Sequence, residues 1–150
     1  MHMYNFYGHE NATCKAINNE YKGIVTPIDL YDALSKIWCA DTCAPRMRGD
    51  WTPDNKTLGQ CSITSFLAQD IFGGEVRGIA LGDGNYHCYN VVGECVFDLT
   101  SEQFDKKLEY RSDDKIQTRE GHFAKLEKKE RYEMLKSMLH QETVGANDSV

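Results

Sequence analysis

Cys61, His87 and Asp98 are the residues of this 150-residue chain whose types and spacing could build a nucleophilic site. Cys61 follows Gly59-Gln60 and opens a stretch in which Ile63, Phe66, Leu67 and Ile71 recur at helical spacing. That pattern predicts a helix over 60–72, stopped by Gly73-Gly74. A thiol in the first turn of a helix lies among unpaired N–H groups at the positive end of the dipole, and both stabilise its thiolate. A free cysteine titrates at about 8.5, so such a setting turns a mostly protonated thiol into a nucleophile near neutral pH. Elsewhere a cysteine is usually a small buried hydrophobe. The first-turn position is what separates Cys61 from the rest of the six cysteines.

A nucleophile of this kind needs a base, and the base needs a group that orients it. Gly82-Asp83-Gly84 and Gly93-Glu94 divide three short strand-like runs, 75–81, 85–92 and 95–99. With Gly93-Glu94 as a two-residue turn, Val92 faces Cys95, Val91 faces Val96 and Tyr89 faces Asp98. Alternation then puts His87, Tyr89, Val91, Val96, Asp98 and Thr100 on one side of the hairpin. His87 and Asp98 become diagonal neighbours, roughly 7–8 Å apart between backbones and within side-chain reach. Asp98 can thus fix the tautomer of His87. The opposite side carries Cys88, Asn90, Val92, Cys95, Phe97 and Leu99 and reads as core, so Cys88 and Cys95 are expected to be packing thiols. The oxyanion formed in acyl transfer would be held by the Cys61 N–H and an amide, for which Asn55 and Gln60 are the candidates. The structural alternatives are a turn residue for Asn55 and a helix-start contact for Gln60.

These residues need a scaffold, and the sequence predicts an α+β one. Thr26-Pro27-Ile28-Asp29 has the chemistry of a helix start, and Leu30, Ala33, Leu34, Ile37 and Trp38 carry the helix to about Trp38. A long connection over 39–59 contains Pro45, Gly49, Pro53 and Asn55. Thr100-Ser101-Glu102-Gln103 has the spacing of a capping box. A charged tail over about 118–141 holds Phe123, Leu126, Met134, Leu135, Met138 and Leu139 as a buried stripe. Residues 1–25 read as an N-terminal extension or arm, 26–141 as a single domain, and 142–150 as a disordered tail.

Bulk properties narrow the function classes. Hydrophobic residues make up 41% and charged residues 27%, ordinary for a globular chain. Seventeen basic residues against 23 acidic ones give a net charge of −6 with no basic stripe, so nucleic acid is not an expected partner. No apolar segment approaches bilayer length, so no membrane association is expected either. Met1-His2-Met3-Tyr4-Asn5 shows no basic stretch leading into an apolar run. A cytoplasmic location with reduced cysteines is therefore expected. No cofactor is implied. Cys39 and Cys43 could begin a metal site, but the further ligands a structural zinc needs have no recognised spacing here.

Several clusters match a known pattern. Asp41-Thr42-Cys43, Trp51-Thr52-Pro53-Asp54-Asn55, Gly59-Gln60-Cys61-Ser62-Ile63-Thr64 and Gln69-Asp70-Ile71-Phe72-Gly73-Gly74-Glu75 are four of them. His87 with Asn90, Asp98-Leu99-Thr100-Ser101-Glu102-Gln103-Phe104 and Arg131-Tyr132 complete the set. Over roughly Leu34 to Met138 the chain resembles the YunG-like family of uncharacterised bacterial proteins. Cys88 and Lys56 stand where the resemblance leads one to expect an aromatic residue and a proline. The family is in turn remotely similar to papain-like and NlpC/p60-like folds, whose order of thiol, histidine and acid is also that of Cys61, His87 and Asp98. The resemblance implies a papain-like α+β fold with helices on a small antiparallel sheet. It also implies a thiol hydrolase or acyltransferase acting on a peptide or a small amide, isopeptide or thioester. The alternative reading is a binding or regulatory module on the same scaffold.

Overall fold

Asp29 Oδ2 accepts hydrogen bonds from the backbone N–H groups of Thr26 (3.0 Å) and Val25 (2.9 Å), closing the start of helix α1, Pro27–Ser35. Beyond Ser35 the chain completes a looser turn, in which Lys36 donates to Ala33 and Ile37 and Trp38 donate to Leu34. The structure, a computed structural model, describes residues 3–148. Helix α2 is Cys61–Phe72, and Gly73 ends it at φ +80°.

Three strands follow where the glycine turns require them: β1 Glu75–Ala80, β2 Tyr86–Val92 and β3 Cys95–Phe97. The hairpin register is the expected one, with Val92 opposite Cys95, Val91 opposite Val96 and Asn90 opposite Phe97. A fourth strand, β4 Lys115–Gln117, pairs with β1 and makes an antiparallel sheet of order β3-β2-β1-β4. It carries no alternation to betray it, since Lys115 and Ile116 are both exposed. A Cβ on Gly78 would lie 2.5 Å from Nε2 at the flexible end of the Gln117 side chain. Helix α2 covers the sheet through Ile63, Phe66, Leu67 and Ile71, in one core with Val76, Cys88 and Phe97. Asn90 Nδ2 ties the two layers by donating to Ser65 O (2.8 Å).

The N-terminal residues, expected as an extension or arm, are built into this core. Phe6 is fully buried, and Ala12, Tyr21 and Ile24 are also inside. Tyr7 forms an antiparallel bridge with Asp98, whose N–H donates to Tyr7 O (3.0 Å). The bridge sits just past the end of β3 and covers the open edge of the sheet there.

The connection over 39–59 is also ordered. It contains short 3-10 turns at Ala40–Thr42, Pro45–Asp50 and Pro53–Asn55. Arg48 donates to the carbonyls of Ala40, Asp41 and Cys43. Arg131 reaches in from the last helix to Thr42 O (3.0 Å) and Gly59 O (2.9 Å). Gly59 has φ +71°, and a Cβ on it would lie 2.5 Å from Cys43 Sγ.

Thr100 starts only a single turn, Ser101–Gln103, rather than a helix. The tail forms two helices, α3 Arg119–Phe123 and α4 Leu126–Asp148. Leu135 and Leu139 are fully buried as expected, and Phe123 and Met138 pack against the core. Leu126 and Met134 are exposed instead. The inner face of α4 runs through Arg131, Tyr132, Leu135 and Leu139, spaced three or four apart, and Leu126 and Met134 fall off it. Helix α4 continues into the stretch expected to be disordered, and Thr143 is buried with its hydroxyl donating to Leu139 O (3.0 Å). Residues 149–150 lie outside the described residues.

Candidate active site

His87 and Asp98 meet as the hairpin register requires. His87 Nε2 lies 2.6 Å from Asp98 Oδ2, and both side chains are 1% exposed. Burial works against a charged imidazole, yet the Asp98 carboxylate and the Cys61 sulfur outweigh it and raise the His87 pKa to about 10. Asp98 is itself surrounded by donors. Its Oδ1 accepts from the Thr100 N–H (3.1 Å) and hydroxyl (3.3 Å), and Oδ2 also accepts from Tyr110 (2.7 Å). Burial pushes the Tyr110 phenol far up, so it stays a donor. Tyr7 stacks on Tyr110 with ring centroids 3.8 Å apart, and Phe104 meets the His87 ring edge-on at 4.7 Å.

Cys61 is the first residue of α2 and is half-buried. Its thiol pKa is held well below the ordinary value of 9.0. The Cys88 thiol, hydrogen-bonded to the Cys61 sulfur, is the main cause; burial opposes it, and the hydrogen bond and charge of His87 add to it. Because His87 Nε2 is engaged by Asp98, Nδ1 is the ring nitrogen left for Cys61. The two shifts point in the directions that favour a thiolate beside a protonated imidazole, with the Asp98 carboxylate behind the ring. Cys88 keeps its own proton, raised well above the thiol range chiefly by the same contact with Cys61. His122 Nε2 stands 3.8 Å from Cys88 Sγ and 3.1 Å from Gln117 Oε1. Burial and the nearby Lys128 lower the His122 pKa and keep the ring neutral.

The two candidate oxyanion amides fare differently. Gln60 is fully buried, with Nε2 donating to Cys39 O (3.0 Å) and Oε1 lacking a hydrogen-bond partner. One of the two amide hydrogens is thus committed to the 39–59 connection, and the second is the donor this side chain has left. Asn55 closes the Pro53–Asn55 turn, with its N–H on Thr52 O and its carbonyl accepting from Leu58. Gln60 O accepts from Thr64 N–H (3.1 Å), so the N–H groups of Cys61, Ser62 and Ile63 are the orphan donors of the helix start.

Four contributors were not singled out as site residues in the sequence: Tyr110, Phe104, Tyr7 and Cys88. The first three lie in irregular segments. Cys88 was assigned to core packing by alternation, and its burial fits that, but its sulfur also meets the nucleophile. A cavity of about 680 Å³ is lined by Tyr7, Val96, Phe104 and Tyr110 among others, and Cys61, His87 and Asp98 do not line it. Among the described residues no group of three or more His, Cys, Asp or Glu side chains is placed to hold a metal ion. No helix among them is long and apolar enough to cross a membrane.

Fold and site together define a mixed α+β protein in which a helix-start cysteine, a strand histidine and a buried aspartate converge. The sequence profile described as "YunG protein" matches residues 26–144, and the chain belongs to the YunG family. It is 39% identical over 61 residues to a protein of Bacillus subtilis (strain 168) described as "Uncharacterized protein YunG". That alignment covers 41% of this chain and 52% of the relative, so it spans about half the relative's length. No solved structure matches the chain. Several of the clusters noted in the sequence serve the scaffold: Arg119 bonds Gln69, Asp70 and the Phe66 carbonyl, and Tyr132 donates to Asp70. These contacts fasten the C-terminal helices to the far end of α2.

Proposed function

We propose that the protein is a thiol hydrolase or acyltransferase on a papain-like scaffold, acting on an amide, isopeptide or thioester carbonyl of a peptide or small substrate. The observation that supports this is the His87–Asp98 pair beside Cys61, with the thiol pKa lowered by Cys88, the imidazole pKa raised by Asp98, and both shifted further by their mutual interaction. The layering supports the papain-like reading: the helix that starts with the thiol packs on an antiparallel sheet whose next strands bring the histidine and then the acid.

In this reading the Cys61 sulfur attacks the carbonyl carbon. The negative oxygen is held by the orphan N–H groups of the helix start, with Asn55 or Gln60 as the side-chain donor. His87 passes its proton to the leaving amine or thiol, which departs and leaves an acyl group on Cys61. Neutral His87 then takes a proton from water or from an acceptor nucleophile, which attacks and releases Cys61. Asp98 holds the ring in place through both steps.

The test has two arms on the parent and on His87→Ala and Asp98→Asn. Iodoacetamide labelling mapped by mass spectrometry at pH 6–7 reads the thiolate, and a small aryl thioester reads acyl transfer as a mass increment on Cys61. The parent should label at Cys61 about tenfold or more faster than at Cys39 or Cys43, since each unit of pKa depression is a factor of ten in thiolate. Both variants should slow it. Equal rates at the three cysteines, indifferent to both substitutions, would replace the enzyme reading by that of a binding or regulatory module.

A further inference from the structure

In the acyl-transfer reading the buried Cys88 thiol supports the Cys61 thiolate but takes no part in bond making. Cys88 is fully buried on β2, on the side of the sheet that α2 covers. Its sulfur meets that of Cys61 and lies 3.8 Å from His122 Nε2. The two backbones are tied nearby, because Asn90, two residues along the strand, donates to Ser65 O in the second turn of α2 (2.8 Å). Cys61 therefore has beside it a second thiol whose sulfur forms no bond in the acyl-transfer steps.

We propose that Cys61 and Cys88 act together as a dithiol that reduces a hydroperoxide and closes to a Cys61–Cys88 disulfide. Cys61 attacks as the thiolate: its sulfur bonds the terminal peroxide oxygen, the O–O bond breaks, and the departing oxygen takes a proton from His87. The products are a sulfenic acid on Cys61 and one molecule of water or alcohol. Cys88 then attacks the Cys61 sulfur, the S–S bond forms, the S–O bond breaks, and hydroxide leaves with the Cys88 proton as water. The two thiols lose two electrons in all, and the peroxide gains them. An external small-molecule thiol resets the pair by exchange.

The division of labour follows from the chemistry of the two sulfurs. Redox-sensitive cysteines combine thiolate character and access with a neighbouring thiol that resolves the sulfenic acid. Cys61 is half-buried at the helix start, and Cys88 is buried and protonated. The other thiol pair, Cys14 with Cys95, lacks a comparable nucleophile, because burial and Cys95 push the Cys14 thiol up to about 12.

This inference shares the Cys61 thiolate with the proposed function but needs no carbonyl substrate. The experiment uses the full reduced chain, stoichiometric hydrogen peroxide, dimedone to trap sulfenic acid, and peptide mapping without reductant. The parent should lose the mass of two hydrogens, yield a Cys61–Cys88 cross-linked peptide and return to the reduced mass with dithiothreitol. Cys88→Ser, with Cys88→Ala as a second variant, should give no cross-link and a severalfold larger dimedone adduct on Cys61. A Cys14–Cys95 cross-link alone, or equal dimedone adducts in parent and variants, would overturn the proposal. The aryl thioester separates the two readings. Acylation of Cys61 without a disulfide defeats this one alone, and a disulfide without acylation defeats only the acyl-transfer reading.

Discussion

Tyr110 donates to the same Asp98 oxygen that meets His87: its hydroxyl lies 2.7 Å from Oδ2, and His87 Nε2 lies 2.6 Å from it. One carboxylate oxygen therefore serves both the ring that carries the charge and a phenol that only positions the acid. Two substitutions separate these roles. Tyr110→Phe removes a hydrogen bond to a buried acceptor and should lower stability by about 1–2 kcal/mol, measured by urea denaturation. It leaves the charge on Asp98, so iodoacetamide labelling of Cys61 at pH 6 should change little. Asp98→Asn removes the charge that holds His87 protonated, and labelling should slow by about tenfold. Equal labelling losses in the two variants would contradict this division.

The pH dependence of stability has a particular shape. Folding raises His87 from 6.5 to about 10 and depresses Cys61 from 9.0. The His87 contribution is complete below the unfolded value of 6.5 and is lost as pH rises through about 10. The Cys61 contribution is complete above 9.0 and is lost as pH falls through the depressed folded value. Between 6.5 and 9.0 the proton gained by His87 balances the one lost by Cys61, so the pair stabilises the fold without pH dependence. Urea midpoints of the parent, relative to a Cys61→Ser/His87→Gln double variant, should form a plateau across that window and fall on both sides. A difference that slopes steadily through neutral pH would refute the ion pair.

Arg131 is 5% exposed and bridges Thr42 O and Gly59 O, joining α4 to both ends of the connection that leads to Cys61. Arg131→Met keeps most of the apolar stem, leaves the buried Thr42 carbonyl without its donor and leaves the Gly59 carbonyl only the Ala44 N–H. A loss of about 2–4 kcal/mol is expected. Limited proteolysis should speed up within residues 39–59 more than elsewhere. Uniform protection across that stretch would show that other contacts hold it.

Phe6→Ala should cost about 3–4 kcal/mol, the usual penalty for emptying a fully buried aromatic site. The neighbouring Tyr7 carbonyl accepts the Asp98 N–H, so exchange of that amide hydrogen should quicken as well. A cost below about 1 kcal/mol would mean that the N-terminal residues are dispensable appendages rather than a wall of the domain.

Local pattern made much of this legible. The apolar spacing of Ile63, Phe66, Leu67 and Ile71 marks α2 and so puts Cys61 at its start, because a helix that buries one face must repeat about every 3.6 residues. The Gly93-Glu94 turn sets the register that brings His87 to Asp98, because a two-residue turn leaves one pairing and alternation does the rest. Leu135 and Leu139 were legible in α4 for the same reason as α2.

What sequence pattern could not reach depends on partners far along the chain. Phe6 and Tyr7 look like an aperiodic arm until the open edge of β3 receives them, 90 or so residues later. Strand β4 has no alternation of its own and is defined only by its pairing with β1. The 39–59 connection is ordered by Arg131, whose burial no local rule predicts for a cation. Leu126 and Met134 are apolar but stand on the outer side of α4, since only docking decides which face of a helix turns inward. Cys88 is the sharpest case. Alternation placed it in the core, and the packing of α2 across β2 brought its sulfur to Cys61, because a helix start and a strand meet at a point that neither sequence encodes alone.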